Sequence, residues 1–389
     1  MYADTEMKHF IACLLFASAV WAESPSEAGI RQAEAEIAKS PDHYPYYNAL
    51  AMAYTQRAGE RSDGLYYDKA EATLAKSFSI APNNLEGLKV RTRILLGRHD
   101  FAKALELATK LNRQTPDDIE VYAELVEANA ELGNYQEAVA AAEWMLKIRP
   151  GNAAGLASAG YLRELYGYIA PAIEVTRMAL DSTSSQDSDQ RAKLLVRLAH
   201  LDLMAGDSAS AEIDATGALA LLPEYPAGLG ALAEVRLAQR RYDDAVSLLQ
   251  KRYDEAPRAA NLFALGNALE LAGRKADAGR VFVEFERTAL AESNLKDNAD
   301  RELISYYVDR ANKPALALRL AEQEIAVRHD VFTLDSYAWA LAANGNTERA
   351  SVEIHKALAI GVKDPTILRH ADAIQHRLRA NGAPGNMGE

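Results

Sequence analysis

The sequence predicts an all-α solenoid, a stack of short helix hairpins, on three observations. The first is the stretch from Ile119 to Pro150, in which Tyr122, Leu125 and Val126, then Ala138, Ala142, Met145 and Leu146, recur at steps of three and four. That is the period of an amphipathic helix. Gly133-Asn134 interrupts it midway, so the stretch reads as two helices and a tight turn, glycine ending the first and asparagine starting the second. The second observation is spacing: Pro82, Pro116 and Pro150 lie 34 residues apart, as do Pro223 and Pro257. The third is alanine at one slot of every unit: Ala70, Ala104, Ala138, Ala172, Ala211, Ala245, Ala278, Ala317 and Ala350. A lone hairpin cannot bury its apolar faces; a stack of them at a fixed period can.

Composition agrees. The 389 residues are 49% hydrophobic, enough for a packed structure. Abundant Ala, Leu, Glu and Arg favours helix throughout. The net charge of −12 argues against a nucleic-acid partner, whose phosphates need a basic surface.

With Leu50-Ala51, Leu198-Ala199, Leu232-Ala233, Leu265-Gly266 and Tyr337-Ala338 in the slot of the first helix, Gly133, Gly167, Gly206, Gly273 and Gly345 at the turn, and the nine alanines above, the chain resembles the tetratricopeptide repeat (TPR) proteins. The resemblance covers about residues 44 to 364. It implies a right-handed superhelix of about nine hairpins with a capping helix at each end, a non-catalytic role and a protein or peptide partner.

In chain order, residues 1–22 read as an export signal: Lys8, the apolar run Phe10 to Val20, and small residues before Ala22. Met7 is an alternative start. Cys13, the single cysteine, sits inside the apolar run, which argues against lipid attachment there. Residues 23–43 are a lead-in whose Ile30, Ala33 and Ile37 have helical spacing. Repeats start near 44, 85, 119, 153, 192, 226, 259, 298 and 331. The first carries seven extra residues around Gly59–Leu65, expected as a longer loop. The second has Arg91-Thr92 where Leu-Gly is expected. Asp181 to Gln190 is polar and serine-rich, expected as a solvated loop, with no EF-hand spacing for calcium. Ala291 to Asn298 is a second irregular stretch. Residues 365–380 form a last helix with Arg369, Asp372, Gln375 and Arg379 outward, a solubilising cap; 381–389 is expected to be disordered.

No phosphate loop, HExxH or Gly-x-Ser-x-Gly is present. No cofactor or metal is expected. In the family the first helices line a concave groove. Carried over, that groove would present Asn48, Lys89, Arg93, Glu127, Tyr161, His200, Glu234, Phe263, Asn267, Tyr306 and Trp339, with some of the aromatics packing between repeats instead. Lys89 and Arg93 make its start basic; Glu127, Glu164, Glu234, Glu302 and Asp335 make the rest mostly acidic. The reading is an exported interaction module, periplasmic or extracellular, binding a protein or peptide in the groove, without membrane insertion after signal removal. The alternatives are a scaffold component of a bacterial envelope complex, for which self-association is open, and an enzyme or small-molecule binder using the groove.

Overall fold

The computed structural model describes residues 24–382. The expected signal at 1–22 and residues 383–389 of the expected disordered tail lie outside them. A leading helix, α1 (Pro25–Lys39), is followed by nine hairpins. These are α2 (Tyr44–Arg61) with α3 (Leu65–Ile80), α4 (Leu85–Gly97) with α5 (Phe101–Gln114), and α6 (Ile119–Leu132) with α7 (Tyr135–Ile148). Next come α8 (Ala153–Leu165) with α9 (Ile169–Ser182), α10 (Ser188–Met204) with α11 (Ser208–Leu221), and α12 (Pro226–Ala238) with α13 (Tyr242–Glu255). The last three are α14 (Ala259–Leu271) with α15 (Lys275–Glu292), α16 (Asp300–Asp309) with α17 (Pro314–Ile325), and α18 (Val331–Ala343) with α19 (Thr347–Leu358). The closing helix α20 spans Pro365–Gly382, two residues further than expected.

Local chemistry explains the boundaries. Ser24 and Glu27 form a reciprocal capping box at the start of α1. Asn84 and Asn152 cap α4 and α8 by accepting from the third backbone N–H, of Gly87 and Gly155. Five hairpins turn on a glycine at positive φ: Gly133, Gly167, Gly206, Gly273 and Gly345. The other four put Ser62, His99, Arg240 and Asn312 in the same left-handed region, a conformation that costs a residue with a Cβ. The nine slot alanines are all buried, none more than 1% exposed. Each lets its two helices close to backbone distance, and a larger side chain would force them apart.

Three irregular stretches differ from expectation in one way. The extra residues of the first repeat lengthen α2 to Arg61 and leave only Ser62–Gly64 as a turn; they do not form a longer loop. In Asp181–Gln190, α9 and α10 take the ends and the non-helical part shrinks to 183–187. α15 likewise runs on to Glu292. Surplus length goes into helix because each added residue also adds a hydrogen bond to an existing ladder. In the second repeat, Thr92 is fully buried and its hydroxyl donates to the Leu88 carbonyl, so the departure from Leu-Gly keeps the register.

Successive first helices pack on one another, α2 on α4, α4 on α6, α6 on α8, α10 on α12 and α16 on α18. Second helices show no comparable contact, so the first helices form the inner layer. The superhelix then closes on itself. Arg61, at the first hairpin's turn, reaches Glu224 at 3.4 Å and Glu255 at 2.6 Å, before hairpins six and seven. The Leu132 carbonyl accepts from His329 N–H at 3.3 Å, and the Tyr135 hydroxyl accepts from Val331 N–H at 2.9 Å. A Cβ on Gly167 would lie 2.1 Å from the Gly361 carbonyl oxygen, so glycine there allows two backbones to meet. One superhelical turn thus takes between five and six hairpins, and the first four hairpin turns dock on the linkers of the second winding. The largest buried apolar cluster joins Val126, Tyr135 and Leu162 to Leu265, Val331 and Ile354, while the fifth hairpin's Ala199 and Ala218 belong to other clusters. That core therefore crosses the seam between windings.

Candidate functional site

The inner layer has two kinds of polar residue. Some are consumed by packing. Asn48 is 6% exposed; its amide donates to Asn84 and its carbonyl oxygen accepts from Ser77. It ties the first repeat to the second and does not face a groove. Lys89 is also buried, its ammonium held by Glu86 at 2.9 Å, Asp118 at 3.0 Å and Glu120 at 3.4 Å. Burial opposes its charge, but those carboxylates outweigh burial and raise its pKa. Arg93 lies 3.5 Å from both Glu120 and Glu124. The expected basic start of the groove is therefore neutralised.

The aromatics divide. Trp339 is 8% exposed, its indole N–H donating to Asp309 at 2.9 Å, and α20 covers it. Phe263 and Tyr306 are half-buried in a cluster with Phe282 and Phe285, centroids 5.1–6.1 Å apart. Asn267 accepts from Arg310, which also pairs with Glu270. These four pack the repeats together. Tyr161 faces the interior with its hydroxyl on Glu131 at 2.8 Å and the Arg197 guanidinium 4.6 Å over its ring. Arg197 also binds Glu164, and His200 sits 3.4 Å from the same carboxylate. The Glu164 contact raises the His200 pKa against the opposing effect of burial.

The second kind is exposed to the interior without an ion-pair partner. Glu127 and Glu234 are exposed and Glu302 half-buried, and among the described residues none has a cation within 4.0 Å. Glu127 is water-accessible, yet its carboxyl is pushed up to about 6, first by burial among surrounding protein and then by Glu131, with Lys193 and Arg93 opposing. A group that is water-accessible and yet desolvated has protein around it on several sides, as the concave side of a superhelix provides. Residues far apart in sequence share that side: Glu127 on α6 feels Lys193 on α10, and Glu131 on α6 feels Arg301 on α16.

Arg252 was not legible as a site residue. It stands on a second helix, seven residues after Ala245, at a position where other repeats carry Leu111, Met145, Ala179 and Phe285. Gly230 makes room: a Cβ there would meet the Arg252 guanidinium at 2.9 Å. The guanidinium fills this gap, its Nε has no hydrogen-bond partner among the described residues, and Glu234 and Glu302 are the carboxylates that act on its charge. Burial lowers its pKa, against those two carboxylates. An arginine at a mostly apolar repeat position, with a glycine on the facing helix, was the available signal. Arg301, whose charge feels Glu302 and Asp330, likewise has only the Phe332 ring, 5.6 Å away, as a direct partner among the described residues.

Among the described residues no cluster of His, Cys, Asp and Glu could hold a metal ion, and no helix is long and apolar enough to cross a membrane. A cavity of about 260 Å³ lies in the seam, between Asp63, Tyr67 and His99 on one winding and Arg258, Glu292 and Asp297 on the other.

No family model matches the chain, and no curated protein does. Solved structures do. The chain is similar to a chain of the Cut9–Hcn1 hetero-tetramer of the APC/C, at 14% identity and a TM-score of 0.52 over 90% of this chain. It spans 60% of that chain. It is also similar to human IFIT1, solved as a dimer with PPP-AAAA, at 12% identity and a TM-score of 0.50 over 88% of this chain and 97% of that one. A second IFIT1 dimer, with m7Gppp-AAAA, matches at 14% identity and a TM-score of 0.50, covering 86% and 85%. At such identities the likeness is one of fold, and the fold is the all-α, TPR-type solenoid that the sequence resembles.

Proposed function

We propose that the protein is a non-catalytic interaction module that holds a segment of another protein inside its superhelix. The observation that carries this reading is the set of inner-layer carboxylates, Glu127, Glu234 and Glu302, that have no cation within 4.0 Å among the described residues. Charges left unpaired in a confined space cost stability, and a bound partner supplying the counter-charges relieves that cost. By contrast, the Lys89 ammonium in the same layer is met by three carboxylates. Glu127, Glu234 and Glu302 disfavour a phosphate-rich ligand of the kind present with IFIT1.

We place the protein outside the cytoplasm of a bacterium, on the signal-like residues 1–22. Sequencing the amino terminus of protein recovered from the envelope fraction is expected to read from Glu23.

The test of function is cross-linked capture from envelope extract with the full chain as bait, beside Glu127→Gln, Glu234→Gln and Glu302→Gln combined. Circular dichroism checks that the variant is folded. A protein captured by the parent and lost from the variant supports the reading; one retained equally by both moves the site to the outer face. A 5′-triphosphorylated oligoadenylate is expected not to bind, and saturable binding of it would replace the peptide reading with a nucleic-acid one. The outer helices favour a second reading, assembly into a larger complex: Ile213, Val283 and Val352 are 71%, 68% and 56% exposed there. Sedimentation over a concentration series decides it, a monomer throughout counting against it.

A further inference from the structure

The seam changes what can reach the interior. An open superhelix offers its groove from the side, so an internal loop or a folded partner could lie in it. Here the hairpin turns of one winding rest on the linkers of the next, from Arg61 on Glu255, through the Arg328 guanidinium 6.0 Å over Phe101 and Leu132 on His329, to Gly167 on Gly361. Two of these contacts are backbone against backbone, and the apolar core continues across the seam. The wall is therefore closed by direct contacts at each of the first four hairpin turns, with the cavity of about 260 Å³ lying between the first and second of them. The space behind it is wet, as exposed Glu127 and Glu234 show.

We infer that the interior is reached along the superhelix axis, and that the partner it takes is the unfolded end of a polypeptide, threaded between the inner helices. This rests on the interaction reading above for the existence of a partner; the route of access stands on the seam alone. A threaded chain has its backbone and side chains surrounded, which suits a lining with unpaired groups of both signs: Glu127, Glu234 and Glu302 against Arg252 and Arg301. An unfolded end also meets the steric condition that a loop between folded regions cannot. The ordering entropy of such a segment is a cost, and it sets a modest affinity for the area buried.

Access can be measured without a known partner. In the full chain carrying Cys13→Ser, a single thiol is placed at Glu127→Cys or Glu234→Cys, with Val352→Cys on the outer face as the reference. Two probes are compared: a linear polyethylene glycol with a terminal maleimide, and a small folded protein with a maleimide on its surface. The linear probe is expected to label interior and reference sites at similar rates, and the folded probe to label the interior sites at least about tenfold more slowly, since it would need the wall to open. Gly167→Leu, which forces the seam apart, is then expected to raise the folded probe's rate while leaving the linear probe's rate unchanged. Arg61→Glu is the milder second variant if Gly167→Leu misfolds.

Equal labelling by the folded probe in the parent would overturn the proposal by showing an open groove. A linear-probe rate that climbs with seam opening would overturn it by showing access through the wall. A sealed wall with no partner in the capture experiment would instead refute only the interaction reading.

Discussion

His370 lies flat against Trp339, ring centroids 4.2 Å apart and planes 8° from parallel. Its Nδ1 is 2.9 Å from both carboxylate oxygens of Asp335, and the imidazole is 2% exposed. The last helix is thus fastened by a buried polar pair as well as by its apolar side, and Trp339 is covered on that face.

His370→Ala should therefore do more than leave a cavity. It strips a buried carboxylate of its partner, and burial already raises the Asp335 pKa against the effect of His370. A loss of about 2–4 kcal/mol is expected, with α20 fraying first. Urea denaturation gives the stability, and a red shift of tryptophan emission reports the uncovered Trp339.

Gly167 and Gly206 form a matched pair. Both are at positive φ, 74° and 82°. A Cβ on Gly206 meets nothing within 4 Å, whereas one on Gly167 collides with the Gly361 carbonyl. Gly206→Ala is expected to cost about 1 kcal/mol, the conformational penalty alone. Gly167→Ala should cost several times more or open the seam. Thermal melts compare the two, and small-angle scattering should show a larger radius for Gly167→Ala only.

Glu124 is 3% exposed, both its oxygens lack hydrogen-bond partners, and its carboxyl is pushed up to about 8 by burial, with Arg93 opposing. Below its unfolded value of 4.5 the proton is bound in both states and pH has no effect through this group. Between there and about 8 the unfolded chain releases the proton and the folded one keeps it. Stability through Glu124 therefore falls as pH rises through that window. Glu124→Gln removes the dependence. It should match the parent near about pH 5 and exceed it by on the order of a few kcal/mol near about pH 9. Denaturant titrations at the two values check this, and no gain at the higher pH would count against it.

Tyr135→Phe leaves the ring and removes the acceptor for Val331 N–H, which is buried. A loss of about 1–3 kcal/mol is expected for the orphaned donor. Amide exchange should speed at Val331 and its neighbours, 196 positions from the substitution, and not in the fifth hairpin.

The repeat architecture was legible because its determinants are local. Ala138 or Gly133 acts within its own hairpin, and the period of 34 carries that reading along the chain. The site was legible only in part. Glu127, Tyr161, His200 and Glu234 stand on first helices, in the inner layer. Asn48 and Lys89 stand there too, but the neighbours that consume them, Ser77, Asn84 and Asp118, belong to other helices. Trp339 was lost to His370 on the closing helix. Arg252 escaped notice because it fills a gap that exists only where Gly230 stands beside it. The seam left no periodic signal: it depends on how many hairpins fill a winding, a property of small angles accumulated over the stack.

That count has a consequence for how such a gene can change. Where each unit touches only the next, a hairpin can be gained or lost and the ends simply move. Here Arg61, Leu132, Tyr135 and Gly167 are each fitted to a particular linker one winding away. Duplicating or deleting one 34-residue unit between them would misalign all four at once. The number of repeats is therefore tied to the seam, and gaining or losing a unit should break the winding-to-winding contacts together rather than one by one.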